Sequence, residues 1–302
     1  MSSNKDQHLI DHILRASLRL ARMKEKNTLE TFMKMNDKCV PHKIFRNMFN
    51  IEIREFKSRQ LCILSPKEKA NGINIFFLHG GAYVTNMTPG HWFLIGAMIQ
   101  KLNCTVIVPD YPLAPKHNVH NVFDFILAAY QEIIGEINCR NLCIMGDSAG
   151  GGMALALCQL LHEKGIEQPA SLYCLSPWLD IQMNNPDIKE LDEKDPILNI
   201  QGLIDSGKAY AGSLDRMNYL VSPIYGSLQG LPPIHMVVGT HDIMLADVRR
   251  FKQKANNAGV DIDYHEIKGL LHDGMLYPTP EGKACRKLIF SSLKKDWSVH
   301  TQ

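Results

Sequence analysis

Three residue types set far apart in this chain are those that acyl transfer needs: a serine between glycines, an aspartate and a histidine. Gly146-Asp147-Ser148-Ala149-Gly150 has the form G-x-S-x-G. It follows the apolar run 141–145 and precedes a helical pattern, the strand–turn–helix context that presents a serine at the mouth of a sheet. So tight a turn leaves no room for side chains at 146 and 150. A hydroxyl is a poor nucleophile until a base takes its proton, and imidazole has a suitable pKa near neutrality. Without that context the five residues read only as a glycine-rich turn with an incidental serine.

His272 lies in Gly269-Leu270-Leu271-His272-Asp273-Gly274, after a strand expected at 262–267. Asp242 follows the run 234–239 in the turn Gly239-Thr240-His241-Asp242. A carboxylate is needed to hold the imidazole in the right tautomer. Asp247 falls inside an expected helix, His265 inside a strand, and His241 beside the acid, so each fits the role less well. Asp273 adds a carboxylate placed to compete for His272. His79-Gly80-Gly81-Ala82 closes another expected strand, 72–78. The N–H groups of Gly80, Gly81 and Ala149 are the expected donors to an oxyanion, each worth about 3–4 kcal/mol. His79 is given no part in proton transfer, and Gly-Gly also suits an ordinary strand-end turn.

These residues need a scaffold that brings strand ends together. Short β-branched or aromatic runs at 72–78, 103–108, 141–145, 234–239 and, more weakly, 170–175 read as buried strands. Helical patterns fall between them at about 91–102, 119–136, 148–164 and 245–257. Lys164 and Gly165 suit the end of the third. A last helix begins at Thr279-Pro280-Glu281 and is expected to turn Ala284, Leu288, Ile289 and Leu293 inward. Strands alternating with helices imply a mostly parallel sheet covered on both faces, with ligands beyond the carboxyl ends of the strands. Residues 181–218 break the alternation: they are polar, interrupted by Pro186 and Pro196, with short helices expected at about 186–193 and 199–211. A structureless loop of that length is uncommon, so the segment reads as an insertion over the site. The amphipathic pattern at 8–24 is a candidate to join it.

The 302 residues are 45% apolar and 21% charged, with a formal net charge of +2. A large core is available, and nothing favours a nucleic acid partner. The eight cysteines are scattered without a C-x-x-C pair and read as buried free thiols. The first residues lack the apolar stretch of a secretory signal, and no segment is long enough to span a membrane. The expectation is a cytoplasmic protein. Close histidine pairs such as His8/His12 and His117/His120 lack further ligands at metal spacing, so no metal is expected.

The segments HGGAY (79–83), DYPLAP (110–115), GDSAGGGMA (146–154), SPWLD (176–180), GTHDIMLAD (239–247) and GLLHDG (269–274) run in one order. Together they resemble the bacterial hormone-sensitive-lipase-like esterases of the α/β-hydrolase superfamily, over roughly residues 50–295. The resemblance implies an α/β fold: a mostly parallel eight-stranded sheet, helices on both faces and a small helical cap. It divides the chain into an N-terminal part of the cap (1–48), a first part of the core (49–180), the cap insertion (181–218) and a second part of the core (219–302). It also implies hydrolysis of short-chain, acetyl-like esters through an acyl-Ser148 intermediate. Ser148, Asp242 and His272 would be catalytic, with Gly80, Gly81 and Ala149 on the oxyanion. The partner implied is a small-molecule ester, without a cofactor; relatives often pair, so a homodimer is an expectation.

Three positions and one spacing depart from the family pattern. Ala82 replaces a third glycine, Lys116 stands where an acid is frequent, and Asp273 stands where glycine or a large apolar residue is common. The gap from Asp242 to Asp247 is one residue longer than usual. The same triad also serves amide, peptide or carbamate hydrolysis. A small-molecule receptor on this fold is another reading, although such receptors have lost the histidine that this chain keeps. Tyr83 and Trp178 read either as pocket walls or as packing beneath the cap.

Overall fold

A computed structural model describes residues 44–300, together with Lys24, residues 28–30, Cys39 and Pro41. Apart from Lys24, which is helical, the helix expected at 8–24 lies outside the described residues, as do His8 and His12.

After a short helix, α1 (Ile44–Met48), the chain forms a hairpin of β1 (Phe49–Phe56) and β2 (Arg59–Pro66). Periodicity did not single out these two strands. Lys57 and Ser58, the two residues of the loop, both have positive φ, 46° and 64°. A two-residue hairpin loop needs that geometry, and Asn-Gly is its usual signature. Lys-Ser carries no such signal.

The remaining elements alternate as the hydrophobic pattern predicts. They are β3 (Asn74–Leu78), α2 (Pro89–Leu102), β4 (Thr105–Pro109), α3 (Val119–Glu136), β5 (Leu142–Asp147), α4 (Ser148–Glu163) and β6 (Ser171–Leu175). Two helices, α5 (Ile188–Asp192) and α6 (Ile200–Ala211), separate β6 from β7 (Ile234–His241). The chain ends with α7 (Leu245–Asn257), β8 (Ile262–Leu271) and α8 (Pro280–His300). The eight strands form one sheet in the order β1-β2-β4-β3-β5-β6-β7-β8. Pairing is antiparallel in β1/β2 and β2/β4 and parallel from β4 onward.

Alternation along the strands sorts the core into two layers. Phe76 and Leu78 point to the face packed by α3, α4 and α7. Ile75 and Phe77 point to the face packed by α2 and α8. The connection through α2 leaves β3 on one face and that through α3 reaches β5 on the other. A crevice therefore opens at the carboxyl ends of β3 and β5, where such sheets place their ligands.

Helix α4 stops as its sequence predicts: Gly165 has φ 64°, and Ile166 N–H donates to Leu161 O at 2.9 Å, closing the last turn. On α8, Ile289 and Leu293 turn inward as expected and Leu288 packs partly buried beside them. Cys285, Ile289, Leu293 and Trp297 are buried, whereas Ala284 is exposed. The stripe starts at Cys285 rather than Ala284 and continues at i, i+4 spacing to Trp297. All eight cysteines are buried and unpaired. No helix among the described residues is long and apolar enough to cross a membrane.

Candidate active site

Ser148 follows β5, whose residues are all buried, and is held at φ 51°, a strained value for a serine. The glycines around it are sterically required. A Cβ at Gly146 would sit 2.3 Å from Gly150 O, and one at Gly150 would sit 2.0 Å from Leu78 O. The turn is thereby wedged against the end of β3. Its serine hydroxyl meets His272, which comes directly after β8: Nε2 lies 2.9 Å from Ser148 Oγ. The other ring nitrogen, Nδ1, lies 3.1 Å from both carboxylate oxygens of Asp242, directly after β7. Ser148, Asp242 and His272 therefore meet in one hydrogen-bonded row, each at the carboxyl end of a strand.

The two flanking turns are pinned from outside. Asp242 Oδ1 also accepts Met244 N–H at 2.9 Å. The next N–H, that of Ile243, donates to Asp195 Oδ2 at 3.1 Å. Asp195 belongs to the segment between β6 and β7 and is buried. Its second oxygen accepts the N–H groups of Ile197 and Leu198 at 2.7 and 3.0 Å. Burial, and then the nearby Asp242 charge, raises its pKa. Lys24 reaches the same segment, donating to the carbonyl oxygens of Asp192 and Asp195 at 2.6 and 3.1 Å. Behind His272, the buried Arg286 of α8 donates to Met275 O and Tyr277 O at 2.6 and 2.7 Å. Neither Asp195 nor Arg286 stands out in the sequence, since a charged residue in a polar run or on a helix gives no sign that it will be buried.

The loop after β3 corrects one expectation. Gly80 N–H donates to Asp147 Oδ2 at 3.1 Å, so it is not free for an oxyanion. Asp147 Oδ2 also faces His91 Nε2 at 3.0 Å. His91 Nδ1 accepts Thr88 N–H at 2.9 Å, which leaves the ring proton on Nε2 to be donated to Asp147. Burial resists the Asp147 charge, but His91 outweighs it and holds the carboxyl below its usual pKa. Gly80 thus fastens the loop to the serine turn. Past it the chain takes three successive positive φ values, 118° at Gly81, 53° at Ala82 and 65° at Tyr83. Gly81 O accepts Val84 and Thr85 N–H. The N–H groups of Gly81 and Ala82 have no acceptor among the described residues. Neither does that of Ala149, in the first turn of α4, where a helix offers none.

Other candidates fall into place by their contacts. His79 is fully buried and stacked on Tyr111 at 4.3 Å, and burial lowers its pKa to about 3. It is a neutral packing residue. Asp247 bonds to Asn185 at 2.9 Å, His265 lies 2.7 Å from Asp263, and His241 is exposed. Tyr83 and Trp178 are buried packing residues. The Tyr83 ring lies parallel to that of Tyr210 on α6 at 3.7 Å and stacks on Trp178 at 5.2 Å. Asp273 does not displace Asp242. It faces the other nitrogen, with Oδ2 3.2 Å from His272 Nε2. Burial resists protonation of His272, but Asp242 and then Asp273 outweigh it and hold its pKa well above the ordinary value. Among the described residues no group of three or more His, Cys, Asp or Glu is arranged to hold a metal ion.

Comparison with known proteins identifies the fold. A family model described as alpha/beta hydrolase fold matches residues 75–276. An esterase of Acinetobacter venetianus is 32% identical over 213 residues, covering 69% of this chain and 70% of that protein. An acetyl-hydrolase of Streptomyces hygroscopicus is 28% identical over 219 residues, covering 71% and 73%. Among solved structures, an esterase from the bacterial hormone-sensitive lipase family superposes with a TM-score of 0.78 at 25% identity, covering 93% of this chain and 97% of that one.

Proposed function

Since this chain belongs to the α/β-hydrolase fold family, within its bacterial hormone-sensitive-lipase-like group, we propose that it is a serine carboxylesterase acting on small, short-chain acyl esters. The observation that carries the reading is the row in which one imidazole touches the Ser148 hydroxyl at 2.9 Å and the Asp242 carboxylate at 3.1 Å.

Ser148 Oγ attacks the ester carbonyl carbon while His272 Nε2 takes the hydroxyl proton. The carbonyl π pair moves onto oxygen, and the N–H groups of Gly81, Ala82 and Ala149 receive that charge. Asp242 keeps the Nδ1 proton in place and stabilises the imidazolium. The tetrahedral centre collapses, the C–O bond to the alcohol breaks, and His272 protonates the leaving oxygen. Water then attacks the acyl-serine, with His272 again as base, and releases the acid and the free hydroxyl. Donors held at fixed positions add about 3 kcal/mol each to this stabilisation.

Two features support short acyl chains. The stack of Trp178, Tyr83 and Tyr210 fills space beneath α6, and one relative is named an acetyl-hydrolase. Residues 181–218 act as the cap over a core formed by 49–180 and 219–302, and the anchoring of Lys24 and Asp195 supports that division. Most of the expected N-terminal part of the cap, 1–48, lies outside the described residues.

The test is covalent labelling by a fluorophosphonate probe together with turnover of p-nitrophenyl esters from C2 to C12. The wild type is expected to be labelled and to prefer C2–C6. Ser148→Ala is expected to lose labelling and at least about 10⁴-fold in kcat. Full activity in Ser148→Ala would sink the mechanism, and faster hydrolysis of C12 would sink the chain-length preference.

A further inference from the structure

We propose that Asp273 is a second carboxylate acting on His272 from the serine side, where it sets the pH at which the base becomes free. The role rests on the esterase reading above, but its physical basis is separable from turnover.

The geometry creates a specific conflict. With Nδ1–H directed at Asp242, a neutral His272 presents a lone pair at Nε2. Two groups face that nitrogen, Ser148 Oγ at 2.9 Å and Asp273 Oδ2 at 3.2 Å. The hydroxyl can donate to it; an ionised carboxylate cannot, and would set acceptor against acceptor. The contact becomes favourable when one further proton is present, on Nε2 or on Asp273. Asp273 pairs directly with no cation other than His272 among the described residues. It is 8% exposed, its Oδ1 has no hydrogen-bond partner, and no lysine or arginine among the described residues pairs with it. The groups around it are Asp147 beside Ser148, Asp242 after β7, Asp195 behind Asp242, His91 on α2, Tyr277 in its own loop and Cys285 on α8. All but His91 add negative charge or none. Burial opposes a charge on His91, but Asp147 and then Asp273 outweigh it and raise its pKa; its Nε2 is directed at Asp147, not at Asp273. Burial raises the Asp273 pKa to about 6, with His272 pulling it down and Asp147 pushing it up.

The side chain is also held where it is. Asp273 sits at φ 50°, and its carbonyl accepts Leu276 N–H at 2.8 Å. Arg286 fixes the two carbonyls just beyond. Consequently the His272–Asp273 pair keeps a proton to higher pH than an isolated imidazole would, and Ser148 has no base until that proton leaves. Once the reaction begins, the same carboxylate stabilises the imidazolium that forms.

The experiment compares kcat/KM for p-nitrophenyl acetate against pH in the wild type, Asp273→Asn and Asp273→Gly. Asparagine and glycine both accept the left-handed backbone. Removing a neighbouring negative charge lowers a histidine pKa. The acidic limb is therefore expected to move down by about one pH unit in both variants, so activity well below it, relative to the plateau, rises about tenfold. The plateau itself is expected to fall severalfold. An acidic limb that stays put in both variants overturns the proposal. A second readout uses NMR titration of His272 in Ser148→Ala, with and without Asp273→Asn. Its midpoint is expected to fall with the substitution, and an unchanged midpoint overturns the proposal without reference to catalysis. A chain that turned over no ester yet showed the lowered midpoint would reject the esterase reading and keep the role of Asp273.

Discussion

Two buried imidazoles in this chain each stand between carboxylates, at opposite ends of the parallel sheet. His272 lies beyond the carboxyl end of β8, with Asp242 on one nitrogen and Ser148 and Asp273 on the other. His235 lies at the start of β7. Its Nδ1 is 2.8 Å from Asp263 and its Nε2 is 2.9 Å from Asp296 of α8. Its ring stacks on Tyr173 at 4.2 Å, and Tyr173 donates to Asp296 at 2.7 Å. Both nitrogens of His235 face carboxylates alone, whose charge favours the protonated ring that ties α8 to the sheet. At His272 a hydroxyl joins the second carboxylate on one nitrogen, and there a proton can pass to and from the hydroxyl. The same residue types give a clamp at one end and a base at the other, and the difference is a single partner.

The contrast breaks most severely if the orienting acid at the active end is dispensable. Asp242→Asn keeps the shape but favours the wrong tautomer, and kcat is expected to fall about 10⁴-fold. Steady-state kinetics with p-nitrophenyl acetate measures it, and a loss below tenfold would mean that the row of contacts is not used as described. A smaller effect is expected from Asp195→Ala. It leaves the N–H groups of Ile243, Ile197 and Leu198 without their acceptor, each at a cost of about 1–3 kcal/mol before water or relaxation compensates. The expected outcome is kcat lower by about tenfold, through a loosened Asp242 turn, and Tm lower by about 5 °C. Intact kcat with lowered Tm would make Asp195 a prop for its own segment alone.

The smallest effect on catalysis belongs to the clamp. His235→Gln is expected to leave kcat/KM unchanged and to lower Tm in a pH-dependent way. Burial opposes the His235 charge, but Asp296 and Asp263 outweigh it and raise its pKa. Burial likewise opposes the charges of Asp263 and Asp296, and His235 outweighs it, holding both below the usual carboxylate pKa. A raised histidine contributes stability that is complete below about pH 6.5 and lost as pH rises through the folded value. A lowered carboxylate contributes stability present above about pH 3.9 and lost as pH falls through its folded value. The Tm difference between wild type and His235→Gln is therefore expected to be widest between those limits and to close above them. Calorimetric scans across pH measure it, and a difference that does not vary with pH would reduce His235 to packing.

Strand ends were the legible part of this molecule. Ser148 and Asp242 follow compact apolar runs, so placing the strand nearly places the residue; His272 follows an alternating strand that runs on past the expected 262–267 to Leu271. The β1/β2 hairpin was hidden for a local reason, since Lys57 and Ser58 adopt a turn that their types do not advertise. The role of Gly80 was hidden for a tertiary one. Whether its N–H points at a ligand or at Asp147 depends on a contact between loops that lie 67 residues apart. Asp273 was visible as a misfit in its motif, but which nitrogen of His272 it faces is set by the left-handed turn that carries it. Asp195, Arg286 and His235 gave no signal, because burial of a charge is decided by what packs over it.

The eight unpaired cysteines carry a practical consequence. Cys158 and Cys174 lie in the layer under α3, α4 and α7, whereas Cys39, Cys62, Cys104, Cys143 and Cys285 lie in the layer under α2 and α8. A thiol reagent added during partial denaturation, followed by peptide mapping, would report the order in which the two halves of the interior admit solvent. The native chain supplies its own probes for that measurement, with no engineered label.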